Sequence, residues 1–184
     1  MAESFDAKKV WETIKAPVVL MAVCSIICAL LVFAYNITYV DTTGVITDKL
    51  RAACEEVIGE GNYEMFGGTL PEGVNSIITD KENKTCAVEI TADGYSKNGL
   101  HIVVGFDNSG KVSGISFLSI GETPGLGTKV KNSSFLDQFK GISSADEAQK
   151  ADTITGATYS SKGMKAAIAL AIETYQNSKE EIFK

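Results

Sequence analysis

The segment LHIVVGFDNSGKVSGISFLSI, residues 100–120, carries the clearest structural signal in the sequence. Two runs rich in β-branched and aromatic residues, 100–106 and 112–120, flank the polar tetrapeptide DNSG at 107–110. Turn residues between two such runs predict two strands joined by a tight hairpin. At least part of the sheet is therefore expected to be antiparallel.

The first of these strands separates its apolar residues from the only histidine of the chain. Because side chains alternate between the two faces of a strand, His101 lies opposite to Leu100, Ile102, Val104 and Phe106. We interpret His101 as a solvated or packed residue and not as a metal ligand.

Further strands and helices are predicted on both sides of the hairpin. Residues 74–79 and 85–91 form two more β-type runs that are bounded by turn residues. Apolar residues at helical spacing predict an amphipathic helix over 42–58. Short helices are expected near 133–139 and 144–150.

The last predicted element is a helix over residues 160–178. Its apolar residues form one stripe, which consists of Met164, Ala167, Ile168, Ala171, Ile172 and Tyr175. Strands followed by a packed terminal helix predict an α+β domain with a largely antiparallel sheet and packed helices.

The N-terminal part has the character of a membrane anchor. Residues 16–40 contain no charged side chain, and about 20 apolar residues suffice for a helix to cross a bilayer. The segment has no small-residue cleavage pattern at its end, which favours an uncleaved signal anchor over a signal peptide. We expect a tail at 1–15, a transmembrane helix at 16–40 and one globular domain at 41–184.

The charges that flank this segment predict its direction in the membrane. Lys8, Lys9 and Lys15 precede the helix, whereas Asp41 follows it. Positive charge collects on the cytoplasmic side, so the chain is expected to be a single-pass protein of the cell membrane. Its N-terminus would be cytoplasmic and its domain extracytoplasmic.

Composition and spacing exclude several classes of function. The net charge is −6, and an acidic domain without a basic stripe lacks the electrostatic footprint of nucleic-acid binding. The sequence has no metal-ligand spacing, no nucleophile–base arrangement for hydrolysis and no dinucleotide-binding fingerprint. Self-contained catalysis is therefore not expected. Cys54 and Cys86 could form a disulfide outside the cytoplasm or remain two buried thiols.

Two loops contain the residue types that bind cofactors. The first, DTITGAT at 152–158, leads directly into the terminal helix. A helix N-terminus attracts phosphate because its first amides have no internal partner and its dipole favours negative charge. The alternative is that Thr155, Ser160 and Ser161 only cap the helix, which is a common role of hydroxyl residues.

The second loop, GETPGLGTK at 121–129, contains a predicted type II turn at Thr123-Pro124-Gly125. Glycines in such a loop allow the backbone to approach a flat ligand closely. The residues that could contact a ligand are Glu122, Thr123, Gly125, Leu126, Gly127 and Lys129.

An anchor helix, an ETPGLG loop and a DTITGAT loop in this order resemble the FMN-binding domain family, and in particular the RnfG proteins of Rnf electron transport complexes. The resemblance implies that a flavin transferase of the ApbE type attaches FMN covalently to Thr158. It also implies that Asp152, Thr155, Gly156 and Ala157 complete the attachment signal, and that the ETPGLG loop lies against the flavin ring. Many members have histidine where this chain has Ile120.

The resemblance further implies an electron-transfer component of a ferredoxin:NAD oxidoreductase complex that translocates Na⁺ or H⁺ together with other membrane and peripheral subunits. The related NqrC proteins share both motifs but are usually longer. Other possibilities are a stand-alone extracellular flavin shuttle and a membrane-anchored, non-redox binding domain in which residues 152–158 only cap a helix.

Overall fold

A computed structural model describes residues 7–38 and 45–183 of the chain. The chain divides into two compact units, Met1–Asp41 and Thr42–Lys184. The described part of the first unit is the helix α1 (Ala7–Thr38), which begins inside the predicted tail. Its segment Ile14–Thr38 is long and apolar enough to cross a membrane, and its side chains are exposed. Residues 39 and 40 of the predicted span lie outside the described residues.

The second unit contains one five-stranded antiparallel sheet whose strands follow one another in chain order. The strands are β1 (Tyr63–Met65), β2 (Val74–Asp80), β3 (Thr85–Ala92), β4 (Leu100–Phe106) and β5 (Val112–Ile120). The predicted antiparallel α+β architecture is confirmed, as are four of these strands. The three-residue strand β1 was missed, because three residues are too few to form a recognisable period.

The hairpin between β4 and β5 closes as predicted. The Asp107 amide donates to the Lys111 carbonyl at 2.9 Å, and the Gly110 amide donates to the Asp107 carbonyl at 2.9 Å. Gly110 has a φ of +78°, a conformation that residues with a Cβ rarely adopt. The turn thus fixes the register of the two strands, the second of which leads into the ETPGLG loop.

Two helices cover the two faces of the sheet. Helix α2 (Asp48–Ile58) packs on one face through residues that include Leu50, Cys54 and Val57. Helix α5 (Thr158–Ile182) packs on the other face through its predicted apolar stripe, all of which is buried. This face contains the four apolar residues of β4 that were predicted to lie together. The sheet is therefore the middle layer of the domain.

Some helix boundaries differ from the prediction. The helix predicted from residue 42 begins at Asp48, because the Thr47 hydroxyl accepts a hydrogen bond from the Leu50 amide at 3.3 Å and caps it. Residues 42–44 lie outside the described part. The two short helices are present near their predicted places: α3 (Ser133–Leu136), which continues as a 3-10 turn, and α4 (Ala145–Lys150).

Cys54 and Cys86 are both free, buried thiols. Cys54 belongs to the cluster between the sheet and α2, whereas Cys86 belongs to the cluster on the α5 side. Burial raises the pKa of Cys54 to about 12 and also raises the pKa of Cys86. Of the two interpretations of these residues, the structure supports the buried thiols.

Candidate functional site

The two loops singled out in the sequence meet at one cavity of about 300 Å³. The cavity lies where the loop after β5 approaches the N-terminus of α5. Its lining residues are Tyr95, Glu122, Thr123, Leu126, Gly127, Gly156, Ala157, Thr158, Tyr159 and Ser160.

The loop at 152–158 is held in place by bonds to its backbone. The Asp152 amide donates to the Gln138 side chain at 2.7 Å, and the Ile154 amide donates to the Ser161 hydroxyl at 3.1 Å. Just before the loop, the Lys165 ammonium donates to the Ala151 carbonyl at 2.7 Å. The position of Thr158 is therefore set by helix α5 itself and by the loop that precedes it.

Helix α5 begins two residues earlier than predicted and has no side-chain cap. Its N-cap residue is Ala157, which offers no capping oxygen, and the first residue of the helix is Thr158. The Ser161 hydroxyl bonds to Ile154 instead, and the Ser160 hydroxyl bonds to Glu122. The alternative in which Thr155, Ser160 and Ser161 only cap this helix is therefore not what the structure shows. An uncapped helix N-terminus that opens on a cavity is suited to an anion.

The loop at 121–129 forms the predicted turn. The Leu126 amide donates to the Thr123 carbonyl at 3.1 Å, and Gly125 has a φ of +75°, as the third position of a type II turn requires. The Thr128 hydroxyl accepts from the Gly125 amide at 2.9 Å and closes the loop. Leu126 is thereby placed at the rim of the cavity, with 51% of its surface exposed.

Glu122 is the buried member of this loop. Its Oε1 accepts a hydrogen bond from the Ser96 amide at 3.1 Å. Its Oε2 accepts from the Tyr95 amide at 3.2 Å and from the Ser160 hydroxyl at 2.5 Å. The carboxylate therefore connects three separate segments at the cavity.

The structure brings together most, but not all, of the predicted site residues. Those that line the cavity are Glu122, Thr123, Leu126, Gly127, Gly156, Ala157 and Thr158. Those that do not line it are Gly125, Lys129, Asp152 and Thr155. Asp152 is exposed on the loop surface, so it is accessible to another macromolecule.

Sequence reasoning missed three residues of the cavity, namely Tyr95, Tyr159 and Ser160. Tyr159 and Ser160 directly follow Thr158, so their position was an available signal. Tyr95 lies in the turn between β3 and β4, and no pattern connected it to either loop. The rings of Tyr95 and Tyr159 meet edge to face with their centroids 6.2 Å apart. They are 72% and 69% exposed.

A second cavity, of about 430 Å³, lies on the other side of the sheet beside the N-terminus of α2. Neither predicted loop lines it. Here His101 Nε2 lies 2.7 Å from Glu89 Oε1, and the Ser76 hydroxyl donates to the same carboxylate. His101 is thus a packed residue, as predicted. The part of the chain that the structure describes holds no cluster of three or more His, Cys, Asp or Glu side chains suited to a metal.

Comparison with known proteins places the same region in a family. Residues 94–173 match the family described as FMN-binding domain, and this match includes both loops and every residue that lines the first cavity. The G subunit of an ion-translocating oxidoreductase complex from Aliivibrio fischeri is 33% identical over 148 residues, which cover 73% of this chain and 69% of the relative.

Two further relatives have more specific names. The G subunit of the Na⁺-translocating ferredoxin:NAD⁺ oxidoreductase complex of Acetobacterium woodii is 28% identical over 141 residues, covering 71% of this chain and 59% of the relative. The G subunit of the proton-translocating ferredoxin:NAD⁺ oxidoreductase complex of Clostridium ljungdahlii is 31% identical over 102 residues, covering 50% and 55%. The matched parts span 57%, 66% and 59% of three relatives in this group.

Proposed function

Since the chain belongs to the family formed by the G subunits of ion-translocating oxidoreductase complexes, we propose that it is a membrane-anchored flavoprotein that transfers electrons within such a complex. The cofactor is FMN, bound covalently through the side-chain oxygen of Thr158. The observation that carries this proposal is the position of Thr158. It is the first residue of an uncapped helix, it is exposed, and it lines the cavity that both loops form.

The residues around Thr158 suit a phosphate that is esterified to its oxygen. The first amides of α5 lack an internal partner, and the helix dipole stabilises negative charge at this end. The hydroxyls of Ser160 and Ser161 do not compete for these amides, because they bond elsewhere. The phosphate would therefore be neutralised by backbone groups, without a basic side chain.

The rim of the cavity suits a flat aromatic ring. Tyr95, Leu126 and Tyr159 are largely exposed apolar surfaces, and all three lie at this cavity. Ligand sites combine such surfaces with a few placed polar groups. When bound, FMN supplies electron transfer in single steps, and the protein orients the ring and tunes its electronics.

The predicted residues that do not line the cavity have a different role in this proposal. Asp152 and Thr155 belong to the signal that a flavin transferase reads when it attaches FMN, and Asp152 is exposed. Gly125 shapes the turn that presents Leu126, and Lys129 lies in the short 3-10 helix that follows. Their contribution to binding FMN is indirect.

The whole complex would move electrons between ferredoxin and NAD⁺ and couple this transfer to translocation of Na⁺ or H⁺. The chain would be anchored by α1 with a cytoplasmic N-terminus and an extracytoplasmic flavin domain, and it would assemble with other membrane and peripheral subunits. The names of the relatives include both a Na⁺-translocating and a proton-translocating complex. The similarity is therefore compatible with either ion.

The test of the cofactor site is intact mass with flavin fluorescence on a denaturing gel, after production beside a flavin transferase. The wild type is expected to gain the mass of FMN less one water and to fluoresce, whereas Thr158→Val is expected to do neither. Thr153→Val is the matched control, because Thr153 is an exposed threonine of the same loop that does not line the cavity. It should be modified like the wild type.

Two results would contradict the proposal. A wild type that stays unmodified beside an active transferase would refute the flavoprotein assignment and favour a non-redox binding domain. A Thr158→Val protein that still carries FMN would place the attachment at another residue.

A further inference from the structure

Glu122 differs from the other members of the ETPGLG loop in what its side chain contacts. Only 5% of Glu122 is exposed, and its two oxygens accept three hydrogen bonds from protein groups. Two donors are the backbone amides of Tyr95 and Ser96, and the third is the hydroxyl of Ser160. The carboxylate thus joins the β3–β4 turn to the first turn of α5 across the inner wall of the cavity.

The backbone around this carboxylate is closed so tightly that only glycine fits. A Cβ at Gly94 or Gly99 would lie 2.4 Å from Oε1, and a Cβ at Gly127 would lie 2.4 Å from Oε2. A Cβ essentially never approaches another heavy atom this closely, so a side chain at any of these positions would displace the carboxylate. Three glycines from two different loops therefore leave the space that the buried Glu122 carboxylate occupies.

The two segments that Glu122 joins are the ones that carry the exposed tyrosines. The amide of Tyr95 is itself a donor to Glu122, and Tyr159 directly precedes Ser160. The rings of the two tyrosines meet edge to face with centroids 6.2 Å apart. Both tyrosines are about 70% exposed. The carboxylate of Glu122 is thus bonded to the backbone of Tyr95 and to the side chain that follows Tyr159.

We propose that Glu122 is a positioning residue that fixes Tyr95 and Tyr159 against each other at the flavin site and keeps a negative charge in the cavity wall. The inference rests on the proposed function, because its readouts need the bound flavin. Glu122 lines the cavity, and the role inferred for it here is an indirect one. It acts on the flavin through the tyrosines and through its charge.

Glu122→Gln tests this, because the substitution keeps the shape but replaces one acceptor oxygen by a donor NH₂ group. At least one of the three donors then loses its acceptor, and the wall loses its charge. Tyrosines held near a flavin quench its fluorescence, so the native variant should fluoresce more strongly than the wild type. Loss of the negative charge should shift the midpoint potential of the flavin to a more positive value.

Asp80→Asn is the matched control. Asp80 is a carboxylate that is 1% exposed and accepts hydrogen bonds from the amides of Glu82 and Asn83 and from the Asn83 side chain. It too is closed in by a glycine, Gly61, but it lies at the β2–β3 turn and does not line the cavity. This variant should lower stability and leave both flavin readouts unchanged.

The measurements use the full-length, flavinylated protein, and each outcome decides the question. Glu122→Gln with wild-type fluorescence and potential, but reduced stability, would show a purely structural role and overturn the inference. If that variant fails to fold, Ser160→Ala removes only the bond to α5, and it should raise the fluorescence by a smaller amount; no change would again overturn the inference. A wild type without flavin would refute the proposed function first.

Discussion

At the scale of single residues, the contact between Glu89 and His101 shows how a buried carboxylate depends on its partners. Burial alone would raise the pKa of Glu89, but hydrogen bonds from His101 and Ser76 and the charge of His101 outweigh it, so the pKa lies below its ordinary value. Only 13% of the Glu89 side chain and 27% of the His101 side chain are exposed. Solvent therefore screens this pair less than a surface ion pair.

A carboxyl group whose pKa is lowered by folding stabilises the fold above its unfolded pKa, and this contribution is lost as pH falls through the folded pKa. We expect His101→Gln to lower the free energy of unfolding by about 1.5–3 kcal/mol at pH 7, the range for a hydrogen bond to a charged group. The difference from the wild type should shrink below the ordinary carboxyl pKa of 4.5. Urea unfolding at pH 7 and in acid measures both values.

The control for this pH dependence is Lys140→Gln, which breaks a pair with Asp137 whose side chains are 58% and 55% exposed. Its effect should be small at either pH. If His101→Gln cost the same free energy at neutral and acid pH, the Glu89 contact would not be the origin of the loss.

Single residues also mark the limit of prediction from sequence. Thr158 is predicted to be the attachment residue because a motif fixes both its type and its neighbours, and the structure places it at the start of a helix. Glu122 was identified as a site residue, but its partners were not, since two of them are backbone amides. A sequence shows which side chains are present and not which amides the fold turns towards them. Tyr95 was missed because the fold, and no pattern in the sequence, brings the β3–β4 turn to the cavity.

At the scale of elements, the alternation of side chains and helical spacing were sufficient to predict an element that is long and buried on one side. Strands β4 and β5 have the predicted limits, and the apolar stripe of α5 is buried as predicted. The start of α5 was misplaced, because hydroxyl residues near a helix start suggest caps. Here they bond to Glu122 and to the preceding loop, so tertiary contacts replaced the local ones.

The close approach of α5 to the β3–β4 turn makes a second prediction. Where a helix has free space around a glycine, replacing that glycine by alanine stabilises the protein by about 0.5–1 kcal/mol. A Cβ at Gly163 would lie 2.1 Å from the Asp93 carbonyl oxygen, and that oxygen belongs to the backbone. We therefore expect Gly163→Ala to destabilise by about 1–3 kcal/mol, as overpacking does. Thermal unfolding measures the change.

Gly163→Ala should also disturb the cavity, because Asp93 leads into the turn that carries Tyr95. A lower yield of covalent flavin per protein is the expected sign. Lys162→Ala, at an exposed neighbouring position of the same helix, should change neither stability nor flavin yield appreciably. A raised melting temperature for Gly163→Ala would mean that the turn yields without cost and that the contact does not constrain the site.

At the scale of the whole molecule, the described residues form two units with different kinds of surface. The side chains of α1 from Ala16 to Thr38 are exposed, as expected of a helix that is surrounded by lipid in a membrane. Among the residues that the structure describes, those of the buried clusters in the second unit lie within 46–183. Folding of the flavin-binding domain should therefore be independent of the anchor.

We expect a protein that starts at residue 45 to fold, to unfold cooperatively and to accept FMN from a flavin transferase in solution. The described residues of its two cores and its cavity all lie within 46–183, so we expect its melting temperature to equal that of the domain in the full-length protein. Calorimetry and intact mass measure these properties. The full-length protein should enter membranes, whereas the shortened protein should remain in the aqueous phase.

A full-length variant with Leu30→Arg separates the role of α1 in membrane insertion from its mere presence. An arginine at the centre of a membrane helix costs about 2.5–3.5 kcal/mol on insertion scales, so insertion should weaken while flavin attachment to the purified protein stays unchanged. If the shortened protein instead unfolded or failed to take up flavin, the anchor would be part of the folding unit. The separation of the chain into an anchor and an autonomous electron-transfer domain would then be wrong.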